Sequence, residues 1–215
     1  MTSLRDELAA RASGAKNFDP ERKAVYDAQA RALEESDLLE RALRTGDRAP
    51  MFELPDAFGN MVGLADVLAT GPVILSFYRG SWCPFCNLEL RALQRELAAA
   101  QAGGVNLVAV SPNKPDMSRQ LIEEHGLEFS VLSDHRNDVA SQFNLVYEMV
   151  PEQVDYYRNH DRDIGAMNGT DIWTLPVPAT YVIDRDGTIR YDFIDLNHRV
   201  RAEPAEVIAL AASLA

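Results

Sequence analysis

Cys83 and Cys86, three positions apart, are the two cysteines of this 215-residue chain. They stand in the stretch Ser-Phe-Tyr-Arg-Gly-Ser-Trp-Cys-Pro-Phe-Cys-Asn-Leu-Glu-Leu, residues 76–90. A dithiol at this spacing can be half of a zinc site, inert apolar filler, or a reversible disulfide. A structural zinc needs four ligands, and His125, His135, His160 and His198 show no paired spacing that would complete the set. Inert packing would account for Cys86, because a free thiol behaves as a small apolar group. It accounts poorly for Cys83, which falls where a strand gives way to a helix. The redox dithiol explains both.

The spacing also assigns unequal roles. Pro84 suits the first position of a helix, which makes Cys83 the N-cap. Unpaired N–H groups and the helix dipole favour a thiolate there, below the free-thiol pKa of about 8.5. Cys86, Leu90, Leu93 and Leu97 lie at i, i+4, i+7 and i+11, the core-facing stripe of the same helix. Cys83 is thus expected to be the more exposed nucleophile and Cys86 its shielded resolving partner. Trp82 and Phe85 could screen the sulfurs or touch a partner, and Pro84 with Phe85 would tune the reduction potential. Arg79 either supports a thiolate or is a solvated strand end.

The elements that must hold this site are legible in outline. Residues 3–13 and 20–44 are predicted helical, the second opening on Asp19-Pro20 and stopping before Gly46. "GPVILSFY", "VNLVAVSP" and "EFSVLS" read as buried strands, with helices predicted over 84–102, 116–125 and 135–143. "ATYVID" and "TIRYDFI" flank a turn at Arg185-Asp186-Gly187 and form a hairpin, and a last helix starts at Pro204. Strands alternating with helices before a closing hairpin indicate an α/β domain with a mixed central sheet. Residues 1–45 read as a helical N-terminal extension and 46–215 as the redox domain. Residues 144–172 show no period and are too long for an ordinary connection, so they read as an insertion. Asn168-Gly169-Thr170 matches a glycosylation acceptor, which would need a secretory route.

The net charge of −12 repels phosphate backbones and anionic lipid, so nucleic-acid and membrane-surface binding are not expected. The charged N-terminal stretch does not read as a signal peptide, and the expected location is the cytoplasm. No glycine-rich phosphate loop of the right form is present, and no metal, flavin or nucleotide cofactor is expected.

The motifs resemble a known superfamily. "WCPFC" after a buried strand is similar to the Trp-Cys-x-x-Cys site of thioredoxin-like proteins. "TGDRAPMFELPDAFGNMVGLADV" resembles the entry segment of the peroxiredoxin branch, the AhpC/TSA-type redoxins, and "PVPATYVIDRDGTIRY" resembles its later hairpin. The resemblance covers Gly46 to the C-terminus and implies a thioredoxin-like fold, with the insertion ahead of a proline loop. It implies a peroxiredoxin-like thiol oxidoreductase that reduces hydroperoxides or disulfides and is restored by a thioredoxin or glutathione-type reductant. A homodimer is compatible with it. A dedicated disulfide reductase and a redox-gated binding protein are the alternatives.

The resemblance also departs from its pattern in places. Peroxiredoxins carry Pro-x-x-x-Thr/Ser-x-x-Cys, whose positions here are Arg79, Cys83 and Cys86, so that alignment makes Cys86 the peroxide-attacking thiol. The family's activating arginine on a later strand is replaced by Pro178. A proline there resembles the cis-proline loop of thioredoxin-like reductases. The buried acid of thioredoxins is missing from its place at Ser76.

Overall fold

The computed structural model describes residues 2–14 and 19–215. Three helices come first: α1 (Leu4–Gly14), α2 (Pro20–Glu34) and α3 (Leu38–Arg41). A small hairpin, β1 (Glu53–Pro55) and β2 (Met61–Gly63), leads through α4 (Leu64–Thr70) into β3 (Val73–Phe77). Then follow α5 (Pro84–Arg95), α6 (Leu97–Ala102), β4 (Asn106–Ser111), α7 (Pro115–His125), β5 (Ser130–Ser133) and α8 (Asp138–Gln142). The remainder is β6 (Val146–Glu148), α9 (Pro151–Asn159), α10 (Ile164–Met167), β7 (Thr174–Pro176), β8 (Ala179–Ile183), β9 (Ile189–Ile194) and α11 (Pro204–Ala212).

The central sheet has the order β5-β4-β3-β8-β9. β3, β4 and β5 run parallel, whereas β8 and β9 are antiparallel to their neighbours. Every residue of β3 and of β8 is buried, as expected of strands covered on both faces. The two-residue period of β3 divides its side chains between two cores. Ile74 and Tyr78 join the core beneath α5, α7, α11 and α1, while Val73, Leu75 and Phe77 join the core beneath α4 and α8. Ser76 shares the parity of Ile74 and Tyr78 and so points toward α5. That parity matters for the site.

Two predicted helices are each broken once. The stretch 84–102 splits at Glu96, whose φ of −95° and ψ of 0° leave the helical well. Its N–H turns to the Leu93 carbonyl three residues back, a tight turn that re-aims α6. The stretch 20–44 ends at Glu34. There the Ser36 N–H and hydroxyl both bond the Leu33 carbonyl, competing with continued helix. Residues 144–172 contain β6, α9 and α10, and β6 pairs with β7 just beyond, Val146 opposite Pro176.

The N-terminal helices are fastened to the rest by specific bonds. Leu4 and Leu8 of α1 enter the core under α5. The Glu203 carboxylate accepts from the Leu4 and Arg5 N–H groups at 3.1 and 3.2 Å, occupying the bare donors at the start of α1. α2 meets α9 through the Tyr26 and Tyr157 hydroxyls, 2.8 Å apart, and the Gln29 Oε1 accepts from the Val150 N–H at 2.8 Å.

The core below α4 and α8 is built round three rings. Phe143 lies 4.9 Å from Phe77 and 5.2 Å from Tyr181 between ring centroids, and all three are fully buried. Phe143→Ala should therefore cost about 3–5 kcal/mol, a cavity plus lost transfer energy. Urea unfolding of the two proteins checks this, with the midpoint falling while the slope is unchanged.

Candidate functional site

The site is made where β3 ends. Gly80 has a φ of +140°, and a Cβ there would stand 2.5 Å from the Trp82 Nε1 and 3.0 Å from the Asn113 Nδ2. Glycine lets the indole fold back over the loop. Asn113 then fixes the turn: its Oδ1 accepts from the Ser81 N–H at 2.6 Å, and its Nδ2 donates to the Asn168 Oδ1 at 2.9 Å. Asn168 is buried by this bond, so the Asn-Gly-Thr triplet has no accessible acceptor in the folded chain.

Cys83 is the N-cap of α5, with extended backbone (φ −94°, ψ 111°), and Pro84 follows in the first turn. The Cys83 carbonyl accepts from the Asn87 N–H at 3.1 Å, so the helix starts at this residue. Both cysteines are free thiols. The expected difference in exposure is not found: Cys83 is 1% exposed and Cys86 0%. What covers Cys83 comes from outside its own loop. Tyr26 and Arg22 of α2, Tyr157 of α9, and His198 close over it. Phe85 is buried edge-on to His198 at 5.7 Å, and Trp82 is edge-on to Tyr157 at 5.9 Å. Pro84 is exposed.

The expected asymmetry in acidity is present, and for more reasons than the helix end. The Cys86 thiol donates a hydrogen bond to Cys83, which outweighs burial; Arg79, Arg201 and the Cys86 N–H add to it. Together they lower the Cys83 pKa to about 5. Burial pushes Cys86 upward, as does its hydrogen bond to Cys83, with Arg201 opposing.

Arg79 is 3% exposed, so it is not a solvated strand end. Its guanidinium lies 4.8 Å over the Trp82 ring. Burial opposes its charge, but Tyr147, Cys83, Tyr157 and Tyr26 hold it protonated.

The acid missing at Ser76 arrives from the facing helix. Glu89, one turn beyond Cys86, places its Oε1 3.3 Å from the Ser76 hydroxyl and 3.4 Å from that of Thr180. Its Oε2 accepts from the Arg201 Nε at 2.6 Å, a fully buried ion pair. The Arg201 Nη2 reaches the Cys86 Sγ at 3.4 Å, and its Nη1 bonds the His198 and Val200 carbonyls. Burial lifts the Glu89 carboxyl above its ordinary range, and Arg201 pulls it back. His198 is driven well below its ordinary pKa by burial and by Arg79, Arg201 and Arg199, so the imidazole is neutral. Glu89, His198 and Arg201 carry no sequence motif. Only the glutamate on the buried face of a cysteine-bearing helix could have signalled them.

Pro178 is buried, but its role is not that of a cis-proline: no peptide bond among the described residues is cis. The chain passes extended from β7 to β8, and the Val177 N–H donates to the Leu145 carbonyl at 2.8 Å. Pro178 lines a cavity of about 270 Å³ together with Arg79, while Cys83 borders an adjoining space of about 30 Å³.

Two consequences are measurable. Reaction of Cys83 with iodoacetamide should be level at neutral pH and fall as pH drops through about 5, since acid removes the thiolate. Mass-resolved alkylation of each thiol across pH checks this, and a midpoint above 8 for Cys83 would contradict the electrostatics described. Glu89→Gln should leave the Arg201 charge buried without its partner and destabilise the fold by about 3–5 kcal/mol. Chemical unfolding reads that loss.

Comparison with known proteins agrees with the geometry. The AhpC/TSA family model matches residues 45–192. A Mycobacterium tuberculosis chain named "Putative peroxiredoxin Rv2521" is 31% identical over 147 residues, covering 68% of this chain and 82% of that one. Peroxiredoxin Bcp of Escherichia coli is 32% identical over 103 residues, 48% of this chain and 65% of Bcp. Among solved structures, peroxidoxin BcpB of Mycobacterium tuberculosis superposes with a TM-score of 0.61 at 22% identity, covering 80% of this chain and 97% of that one. A mutant of Xylella fastidiosa PrxQ gives 0.63 at 15%, covering 80% and 96%. These two likenesses concern the thioredoxin-like fold. Since the family model takes in more than half of the chain and both cysteines, the protein belongs to the AhpC/TSA family and is a peroxiredoxin-like, thiol-dependent peroxidase.

Proposed function

We propose that Cys83 is the thiol that attacks the peroxide and Cys86 the thiol that resolves it. The observation that carries this reading is the opposed acidity of two adjacent buried sulfurs: one a thiolate at neutral pH, the other a thiol hydrogen-bonded to it. The Cys83 thiolate attacks the distal peroxide oxygen; an S–O bond forms, the O–O bond breaks, and the products are a sulfenic acid and an alkoxide that leaves as the alcohol once protonated. Cys86 then attacks the sulfenic sulfur, water departs, and an intramolecular disulfide forms. Two electrons pass from the thiols to the peroxide. An external thiol returns them.

Burial of Cys83 supports a small oxidant. A protein disulfide would have to displace α2 and Tyr157 to reach a sulfur that is 1% exposed, whereas the space of about 30 Å³ beside it suits a molecule of a few atoms such as hydrogen peroxide. In this reading residues 1–45 are an extension whose helix α2 roofs the site, and 144–172 an insertion whose Tyr147, Gln153 and Tyr157 line it. Arg79, Trp82, Pro84, Phe85 and Pro178 shape the site rather than react. A cycle that depends on a reducing pool suits the cytoplasm.

A second reading has its own observation. Arg201 contacts the Cys86 sulfur at 3.4 Å, as a peroxide-activating arginine would, and the family alignment makes Cys86 the attacking thiol. Single-cysteine variants decide between the two. Cys86→Ser should react with peroxide and accumulate Cys83 sulfenic acid or a mixed disulfide with an added thiol, while Cys83→Ser should trap nothing. Fast sulfenic acid formation on Cys86 in Cys83→Ser would overturn the assignment. Wild type should lose two hydrogens by mass as a monomer, and a disulfide-linked dimer as the main product would exclude an internal bridge.

A further inference from the structure

The 270 Å³ cavity lies under α2, walled by Tyr26, Gln29, Tyr147, Gln153, Pro178 and the Arg79 guanidinium. Tyr26, Arg79, His198 and Arg199 border both this cavity and the small space over Cys83, so the two adjoin. Two of its wall groups lack what buried polar groups require. The Arg79 Nε donates to nothing, and the Gln153 Oε1 accepts from nothing, although their residues are 3% and 1% exposed. One needs an acceptor, best an anion, and the other an N–H donor.

Arg79 has an anion to balance it only in one redox state. Among the described residues it pairs with no carboxylate, and the Cys83 thiolate is the strongest acid acting on it. Asp27 and Glu34 also edge the cavity, but Asp27 is bound to Lys23 and Glu34 faces solvent. Forming the Cys83–Cys86 disulfide consumes the thiolate. The guanidinium is then buried without an anion, a costly state that a ligand carboxylate would relieve.

We infer that this cavity binds a small thiol bearing a carboxylate and an amide or amine N–H, with the carboxylate on Arg79, the N–H on Gln153 and the sulfur at Cys83, and that this thiol reduces the oxidised protein. The inference rests on the dithiol cycle proposed above and names its reductant class. The ligand thiolate attacks the Cys83 sulfur, forming a mixed disulfide and expelling Cys86 as a thiolate beside Arg201, which takes up a proton. A second thiol attacks the ligand sulfur, releasing a symmetrical disulfide and restoring the Cys83 thiolate. Two thiols are oxidised for one disulfide reduced. Cys83 borders the small space adjoining the cavity and Cys86 borders neither, so attack falls on Cys83.

The test compares N-acetylcysteine with its carboxamide, which differ only in the carboxylate, at matched thiolate concentration. Protein oxidised by one equivalent of hydrogen peroxide is freed of oxidant, and its return to the dithiol is followed by mass. The carboxylate thiol should be faster by about tenfold, the worth of one charge-assisted hydrogen bond. That preference should vanish in Arg79→Met and return in part in Arg79→Lys. Equal rates for the two thiols on wild type would overturn the inference, whether or not the variants fold. A parallel arm oxidises the reduced protein with a carboxylate-bearing hydroperoxide and with tert-butyl hydroperoxide. A carboxylate preference confined to that arm would assign the cavity to the oxidant and likewise overturn it. If hydrogen peroxide forms no disulfide, the proposed cycle itself fails; diamide then makes the disulfide, so the cavity is still tested separately.

Discussion

A thiolate almost wholly withdrawn from water is the constraint around which this site is built. Moving such a charge out of water costs several kcal/mol even after relaxation. Cys83 meets that cost from several directions: the Cys86 thiol, the Arg79 and Arg201 guanidiniums and the open start of α5. Each of these groups needs support in turn. Arg201 is buried, so it requires Glu89, and Glu89 requires the hydroxyls of Ser76 and Thr180 on adjacent strands. The antiparallel register that sets Ser76 opposite Thr180 thus bears on the acidity of a sulfur one helix away.

The roof over Cys83 imposes a second demand. Burial alone would raise the pKa of any thiol and slow it, so enclosure is useful only with compensating charge inside. Enclosure in turn makes the fixed charges effective, because little water screens them. Tyr26 from α2 and Tyr157 from α9 meet over the site through their hydroxyls. Reactivity and restricted access are therefore one design here. The same enclosure that buries Cys83 sharpens the field at its sulfur.

The legible part of this molecule is the part specified locally. The cysteine spacing with Pro84 places one sulfur at a helix cap and the other a turn inside, and the continuous apolar runs mark β3, β4 and β5 correctly. The direction of the thiols' opposed acidity follows from the same local geometry, to which Arg201 adds from 115 positions away. Illegible were the features that depend on residues distant in the chain. Glu89 meets Arg201 across 112 positions, and Tyr26 meets Tyr157 across 131. Nothing in the spacing of Cys83 forecasts that α2 and α9 will cover it. Pro178 resembles a cis-proline by its place in the motif, but no peptide bond among the described residues is cis, and the chain runs on from β7 to β8 with the Val177 N–H bonded to the Leu145 carbonyl. The breaks at Ser36 and Glu96 were missed because helix propensity is additive and hides a single competing turn.

Arg79 and Arg201 differ in a way that orders the two sulfurs. Arg201 is paired with Glu89, so its influence on Cys86 is that of one member of a pair. Arg79 has no such carboxylate among the described residues; it faces the Tyr147 hydroxyl and the Cys83 sulfur. With Cys83 reduced, that sulfur is a thiolate; with Cys83 oxidised, the anion is absent. An ion pair that exists in one redox state and not in the other stabilises the dithiol form relative to the disulfide, making the protein the stronger oxidant of its donor thiol. An anion bound beside Arg79 would offset that bias. On the proposed cycle, the reduction potential of the site would depend on what occupies the space next to Arg79 as well as on the cysteines themselves.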